Sequence, residues 1–244
     1  MALFDAVLEL ADDHLILGHR ISEWCGHAPM LEEDLAMPNM ALDLIGTSRT
    51  LYAYAAELEG QGRSEDDMAY LRGEREYRNL LLCERPNEDF AHTMLRQLYF
   101  AAFMHPYWQA AQSSTDSVIA GVAGKAVKEM AYHIRHAGEW VVRLGDGTDE
   151  SVRRMKDAVE ALHIYTGELF EEGAAEGLDV LPERALIREQ WEATVDRIFA
   201  EANLSRPVVQ YPQSGGRDGR HGEGLGHLLA EMQSVYRAHP GAVW

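Results

Sequence analysis

Basic residues are scarce in this sequence. The 244 residues include 22 Lys and Arg against 40 Asp and Glu, a formal net charge of −18. So acidic a chain repels phosphate backbones and anionic lipid headgroups unless a local basic patch offsets it. No such patch is evident, because the one arginine-rich segment, Arg206 to Arg220, is short and diluted with glycine. Neither a nucleic-acid partner nor a membrane is expected. Cysteine is scarcer still: Cys25 and Cys83 allow one disulfide at most and supply too few thiolates for a structural zinc site. Long apolar runs are missing, with nothing near the ~18 residues of a membrane span. The N-terminal stretch carries Asp5 and Glu9 and has no Lys or Arg before Arg20, which is unlike a secretory signal. The expected location is the cytoplasm. Strand signals are also missing, since no segment alternates apolar and polar residues over several pairs.

What is present is helical periodicity in an ordinary globular composition, 46% hydrophobic with 21 Gly and 8 Pro. Leu3, Val7, Leu10, His14, Leu17, Ile21 and Trp24 advance by alternating steps of four and three, the seam of a bundle helix ending near Gly26. A second helix is expected from Leu31 to Leu58, with Leu31, Leu35, Leu42, Ile45 and Tyr52 on its inner face and a kink at Pro38. Ser64 with Asp67 forms a capping-box start for a short helix reaching toward Cys83 and interrupted near Gly73. Asn87 caps a helix to about Ala111 that Pro106 bends, and another runs from Asp116 to Leu144. The buried face of that helix reads Ile119, Val122, Ala126, Met130, His133, Ala137, Trp140 and Leu144. Thr148 opens a helix to about Glu172, and Pro182 one to about Ala202. The chain from 204 to 226 lacks a period and reads as a long Gly- and Arg-rich loop before a last helix, Leu228 to Arg237. The expected fold is therefore all-α, a single domain over residues 1–244 built as a four-helix bundle of long helices with a crossover connection and additional helices.

Such a bundle raises the question of a di-iron site. That chemistry takes one Glu from each of two helices and a Glu-x-x-His pair from each of two more, because i, i+3 spacing aims carboxylate and imidazole at one point. With 25 Glu and 11 His, about one Glu-x-x-His match arises by chance. The sequence has one, Glu160 with His163, read as a solvated pair; Asp89 with His92 and Asp218 with His221 are the aspartate versions. No histidine lies between His27 and His92. Glu129, His133 and His136 form the densest cluster, but the residue three after Glu129 is Tyr132. His133 thus reads as a hydrogen-bonded core histidine, and His14, beside Asp12 and Asp13, as part of a satisfied buried polar pair. Cys25, next to Trp24 at a seam end, reads as inertly buried rather than as a nucleophile. The Gly215 to Gly222 run, holding Arg217 and Arg220, is a solvated loop or an anion or partner contact, and it matches no phosphate-binding fingerprint. No catalytic, cofactor-binding or metal-ligating residue is assigned. The terminal Trp244 is expected to dock on its own bundle or on a partner.

Several longer words then carry a resemblance. Glu23-Trp24-Cys25-Gly26-His27-Ala28-Pro29, Leu42-Asp43-Leu44-Ile45-Gly46, Tyr54-Ala55-Ala56-Glu57-Leu58, Asn79-Leu80-Leu81-Leu82 and Ala230-Glu231-Met232-Gln233, followed by Arg237, Pro240-Gly241 and Trp244, span the chain. They resemble the C subunits of bacterial multicomponent phenylacetyl-CoA 1,2-epoxidases. The resemblance implies a ferritin-like, non-catalytic subunit that supports a homologous A subunit in aerobic phenylacetate degradation. It places the di-iron centre and the CoA thioester in that A subunit, and no cofactor in this chain. A reductase fed by NADPH and small accessory subunits complete the implied complex, a monooxygenase. Two other readings of the residues stand beside it: an independent di-iron oxygenase with an unusual ligand set on Glu129, His133 and His136, and a free-standing CoA-binding or storage protein relying on the arginine-containing loop.

Overall fold

A computed structural model describes residues 1–242; Trp244 and its expected docking lie outside them. The described residues are all-α, without a strand. The chain forms two compact units, Met1–Pro86 with the chain from Gly215 onward, and Asn87–Ser214.

The first unit is built on a hairpin of α1 (Ala2–Ser22) and α2 (Leu31–Glu59). α1 is buried on nearly all sides, including the charged Glu9, Asp12 and Asp13. The pair runs antiparallel: Gly18 lies against Ala41, Leu44 and Ile45, and Ser48 donates to the Ala11 carbonyl at 2.8 Å. Gly18 is needed there, because a Cβ would stand 2.9 Å from Ile45 Cγ1 and 3.3 Å from the Ala41 carbonyl oxygen. α2 continues through Pro38 and stops at Gly60, whose φ of 68° is left-handed backbone that glycine adopts without strain.

The inner face of α2 holds Tyr52 as expected but otherwise differs from the one expected. Met37, Met40, Ala41, Leu44, Ser48, Leu51 and Tyr52 are buried, whereas Leu31, Leu35 and Leu42 point outward. At the closest approach of α1, Gly18 meets Ala41 and Leu44, and the Leu31–Leu35–Leu42 stripe faces solvent.

The Ser64 capping box forms as expected, with Asp67 N–H on Ser64 Oγ and Ser64 N–H on the Asp67 carboxylate. The helix it opens, α3 (Glu65–Tyr70), is only six residues long. A 3-10 turn (Glu74–Glu76) and α4 (Leu81–Glu84) follow where one interrupted helix was expected.

The second unit is built on α5 (Phe90–Ala111) and α6 (Ser117–Gly145), also antiparallel, with Gln97 beside His133 and Phe90 beside Trp140. The cap of α5 is Asp89, not Asn87: Asp89 Oδ1 accepts from the His92 N–H, while Asn87 Oδ1 accepts from Arg96. Glu88 between them has a φ of 51° and displaces the helix start by two residues. Asp116 and Thr148 cap α6 and α7 (Asp149–Leu162) as their sequence positions imply, and a 3-10 segment (His163–Phe170) extends α7. α8 (Arg188–Glu201) starts later than Pro182 implied, after a 3-10 turn whose Arg184 and Ala185 amides donate to the Glu172 carboxylate at 3.2 and 2.9 Å.

The chain beyond 204 departs most from expectation. Residues 204–215 have no helix, but a 3-10 turn (Gly216–Asp218), α9 (Glu223–Met232) and α10 (Ser234–Ala238) follow. From Gly215 the chain is threaded into the first unit rather than solvated: the Arg217 side chain is 7% exposed and that of His221 is fully buried.

Candidate functional site

The chemistry-bearing groups of the first unit gather along α1. Asp12 is fully buried and its oxygens are saturated with donors. Oδ2 accepts from Arg72 Nη1 at 3.0 Å and from the Arg78 N–H at 2.7 Å, and Oδ1 accepts from Arg72 Nη2 and the Tyr52 hydroxyl. Arg72 is itself buried, stacked 4.2 Å above the Tyr77 ring, and donates further to the Met68 and Glu76 carbonyls. Burial alone would lower its pKa, but the Asp12 carboxylate outweighs this and raises it.

Asp13, one residue on, repeats the arrangement with a different cation. Arg217 grips it through Nη1 at 2.9 Å and Nη2 at 2.7 Å, and the Leu80 N–H donates to Oδ1 at 2.7 Å. The planar guanidinium matches both carboxylate oxygens at once.

Glu84 holds the third pair. His221 Nδ1 lies 2.7 Å from Glu84 Oε2, and its Nε2 lies 3.0 Å from the Tyr77 carbonyl oxygen. Both partners only accept, so both ring nitrogens donate and the imidazole is cationic. Burial opposes that charge, but the Glu84 carboxylate and the Tyr77 carbonyl prevail and raise the pKa above the ordinary value. Glu84 also accepts from the Gly222 N–H at 2.6 Å and from Asn79 Nδ2 at 2.9 Å.

The residues singled out as possible ligands are used in other ways. His133 is fully buried and its Nδ1 accepts from Gln97 Nε2 at 2.8 Å. Glu129 pairs with Lys125 at 2.9 Å, one turn away on α6. His14 is buried, and its Nδ1–H donates to the Leu10 carbonyl at 2.7 Å rather than to Asp12 or Asp13. His163 is no solvated partner of Glu160. It is buried, 3.1 Å from the Tyr99 hydroxyl and stacked on Trp191, and burial lowers its pKa to about 4, so it is neutral. Glu160 faces solvent. Asp89 with His92 is a helix cap, and in the third match Asp218 turns to Arg220 while His221 turns to Glu84.

Among the described residues no three His, Cys, Asp or Glu side chains converge as a metal would require. The inward Asp12 and Asp13 of α1 do not suit a di-iron centre, since they already hold permanently protonated arginines. In the arginine loop Arg217 is engaged by Asp13, and Arg220 pairs with Asp218 at 2.6 Å on the surface. Cys25 is exposed, contrary to expectation, and Cys83 is buried; the two form no disulfide. No helix among the described residues is long and apolar enough to cross a membrane.

A family model described as "Phenylacetic acid catabolic protein" matches residues 1–244. The chain belongs to this family. It is also 43% identical over 243 residues to the C subunit of the 1,2-phenylacetyl-CoA epoxidase of Escherichia coli (strain K12), covering 97% of each chain. The ferritin-like, all-α class inferred from the sequence agrees with that membership, each unit being founded on one long-helix hairpin.

Sequence reasoning singled out Arg217 and His221 but missed Arg72 and the pairings of this network. Arg72 and Tyr52 carry no motif, and their pairing with Asp12 bridges separations of 60 and 40 residues. The available signal was the two adjacent acids, Asp12 and Asp13, inside an apolar seam, because buried carboxylates require cationic or N–H partners elsewhere in the chain.

Proposed function

We propose that this chain is the C-type subunit of a phenylacetyl-CoA epoxidase of phenylacetate catabolism, working in the cytoplasm as a non-catalytic support for a homologous di-iron A subunit. The reductase and small accessory subunits of that monooxygenase complete the assembly, and neither a nucleic acid nor a membrane takes part. The observation that carries this reading is the fate of the inward carboxylates. A ferritin-like helix that served a di-iron centre would aim acids at a metal, whereas α1 aims Asp12 and Asp13 at Arg72 and Arg217. Those pairs fasten the segments around residues 71–84 and 215–222 onto α1, which rigidifies a scaffold and offers no redox chemistry. That the E. coli relative is an epoxidase subunit supports the pathway and the existence of partner chains.

Co-expression with the A subunit, followed by size-exclusion chromatography and metal analysis, tests the reading. A stable complex is expected whose iron follows the A subunit, and this chain purified alone should retain no stoichiometric iron. Stoichiometric iron with oxygenase activity in the isolated chain would overturn it.

A further inference from the structure

Leu31, Leu35, Pro38 and Leu42 recur along α2 at steps of 4, 3 and 4, the spacing of a seam that meets another helix. α1 covers a different face of α2, the one carrying Met37, Ala41, Leu44 and Ser48. The seam is left bare: Leu31, Leu35 and Leu42 are 70%, 61% and 65% exposed. Exposed leucines scattered singly are ordinary, but three in register on one helix face mark an interaction surface.

The charge around the seam decides what covers it. Between Arg20 and Arg49 there is no Lys or Arg, while Glu23, Glu32, Glu33, Asp34 and Asp43 all fall in that interval. Of these Glu33 is buried, and Glu32 and Asp43 flank the exposed seam. In a symmetric pair of this chain the same patch meets itself, so these carboxylates would oppose their own copies in a protein of net charge −18. Anionic surfaces are repelled for the same reason. The geometry points to the Leu31–Leu35–Leu42 face of α2 as the docking site for a helix of a different chain, one whose apolar seam is bordered by Lys and Arg. Under the function proposed above, on which this inference rests, that helix belongs to the A subunit.

Calorimetric titration of the full chain with the purified A subunit tests the site. Leu35→Glu/Leu42→Glu should weaken binding at least about tenfold, since burying a carboxylate at an interface without a partner is costly. Leu186→Glu, at a leucine 71% exposed in the second unit, should bind like the parent chain. Leu35→Ala/Leu42→Ala, which keeps helix propensity, should show a smaller loss in the same direction, and circular dichroism should be unchanged in all three. Reversing the flank with Glu32→Lys/Asp43→Lys should also weaken binding, most at low salt. Parent-like affinity of both leucine double variants, with the parent binding normally, would overturn the docking site and leave the proposed function standing. If the parent fails to bind the A subunit, the proposed function fails, and sedimentation of the chain alone then separates the alternatives. A dimer abolished by Leu35→Glu/Leu42→Glu would show that a second copy occupies the seam, and a monomer at all concentrations would remove the occupant assigned here.

Discussion

Replacing Arg72 with Met isolates the energetics of the buried network. Methionine approximates the aliphatic stem, so the main losses are the charge and its hydrogen bonds. Five are present in the structure: two to Asp12, one each to the Met68 and Glu76 carbonyls, and one to the Tyr52 hydroxyl. Stacking on the Tyr77 ring at 4.2 Å goes with them. The largest cost falls on the Asp12 carboxylate, which stays fully buried with only the Tyr52 hydroxyl and the Arg78 N–H to oppose its charge. Breaking a buried pair in this way costs about 3–5 kcal/mol, against roughly 0–1 kcal/mol for a surface pair. Guanidinium unfolding followed by circular dichroism reads the loss. Hydrogen exchange at the Arg78 and Leu80 amides localises it, because these N–H groups bind Asp12 and Asp13. Adding Asp12→Leu to Arg72→Met removes the stranded charge, so the double variant should be less destabilised than the sum of the two single changes by about 2 kcal/mol or more. An Arg72→Met loss below about 1 kcal/mol, with strictly additive single changes, would refute the claim that this pair holds the 71–84 segment to α1.

Other expectations follow from single contacts. His221 has a raised pKa, so its contribution to stability is complete below about pH 6.5 and is lost as pH rises through the folded-state value; melting temperatures from pH 6 to 9 should fall less steeply in His221→Gln than in the parent. His163, held neutral to about pH 4, acts with the opposite sign: its share of stability is lost as pH falls from about 6.5 toward 4, and His163→Gln should flatten that acid limb of the melting curve. Gly145→Ala should destabilise by about 1–3 kcal/mol, because its Cβ would lie 2.5 Å from the Ala202 carbonyl oxygen, whereas Gly124→Ala, with nothing within 4 Å, should be neutral or stabilising in thermal denaturation. His133→Asn should cost about 1–3 kcal/mol through the Gln97 hydrogen bond and leave the iron of the complex in place; metal loss at an unchanged melting temperature would contradict that role.

Where the sequence was legible, the determining interactions were local. Ser64, Asp116 and Thr148 cap helices because their side chains reach amides two or three residues away, a distance any short window contains. Asn87 misled for a local reason as well: Arg96 claims its side-chain oxygen, and the cap passes to Asp89. The inner face of α2 was not legible, since the helix carries two apolar stripes. Periodicity favours the leucines, but the close approach of α1 at Gly18 admits Ala41 and Ser48 and turns Leu35 and Leu42 outward. The Gly- and Arg-rich segment looked solvated because its partners are remote. Arg217 meets Asp13 across 204 residues and His221 meets Glu84 across 137.

These long separations explain how a helix rich in inward acids is stable. A buried carboxylate must be neutralised, whether by protonation, a metal or a protein cation. Around α1 the chain supplies the cations itself: Arg72 for Asp12 and Arg217 for Asp13, with His221 for the nearby Glu84. Arginine holds its proton at every physiological pH, so the first two carboxylates have no need of a metal ion. The same pairs also tie down irregular chain, because each cation is carried by a segment lacking long helices. Arg72 lies between α3 and the following turn, and Arg217 and His221 lie in the chain leading to α9. Neutralising the acids and fastening the irregular chain are thus one structural event. The carboxylates remain inside this helix as anchors, and the outer face of α2 is left to meet another chain.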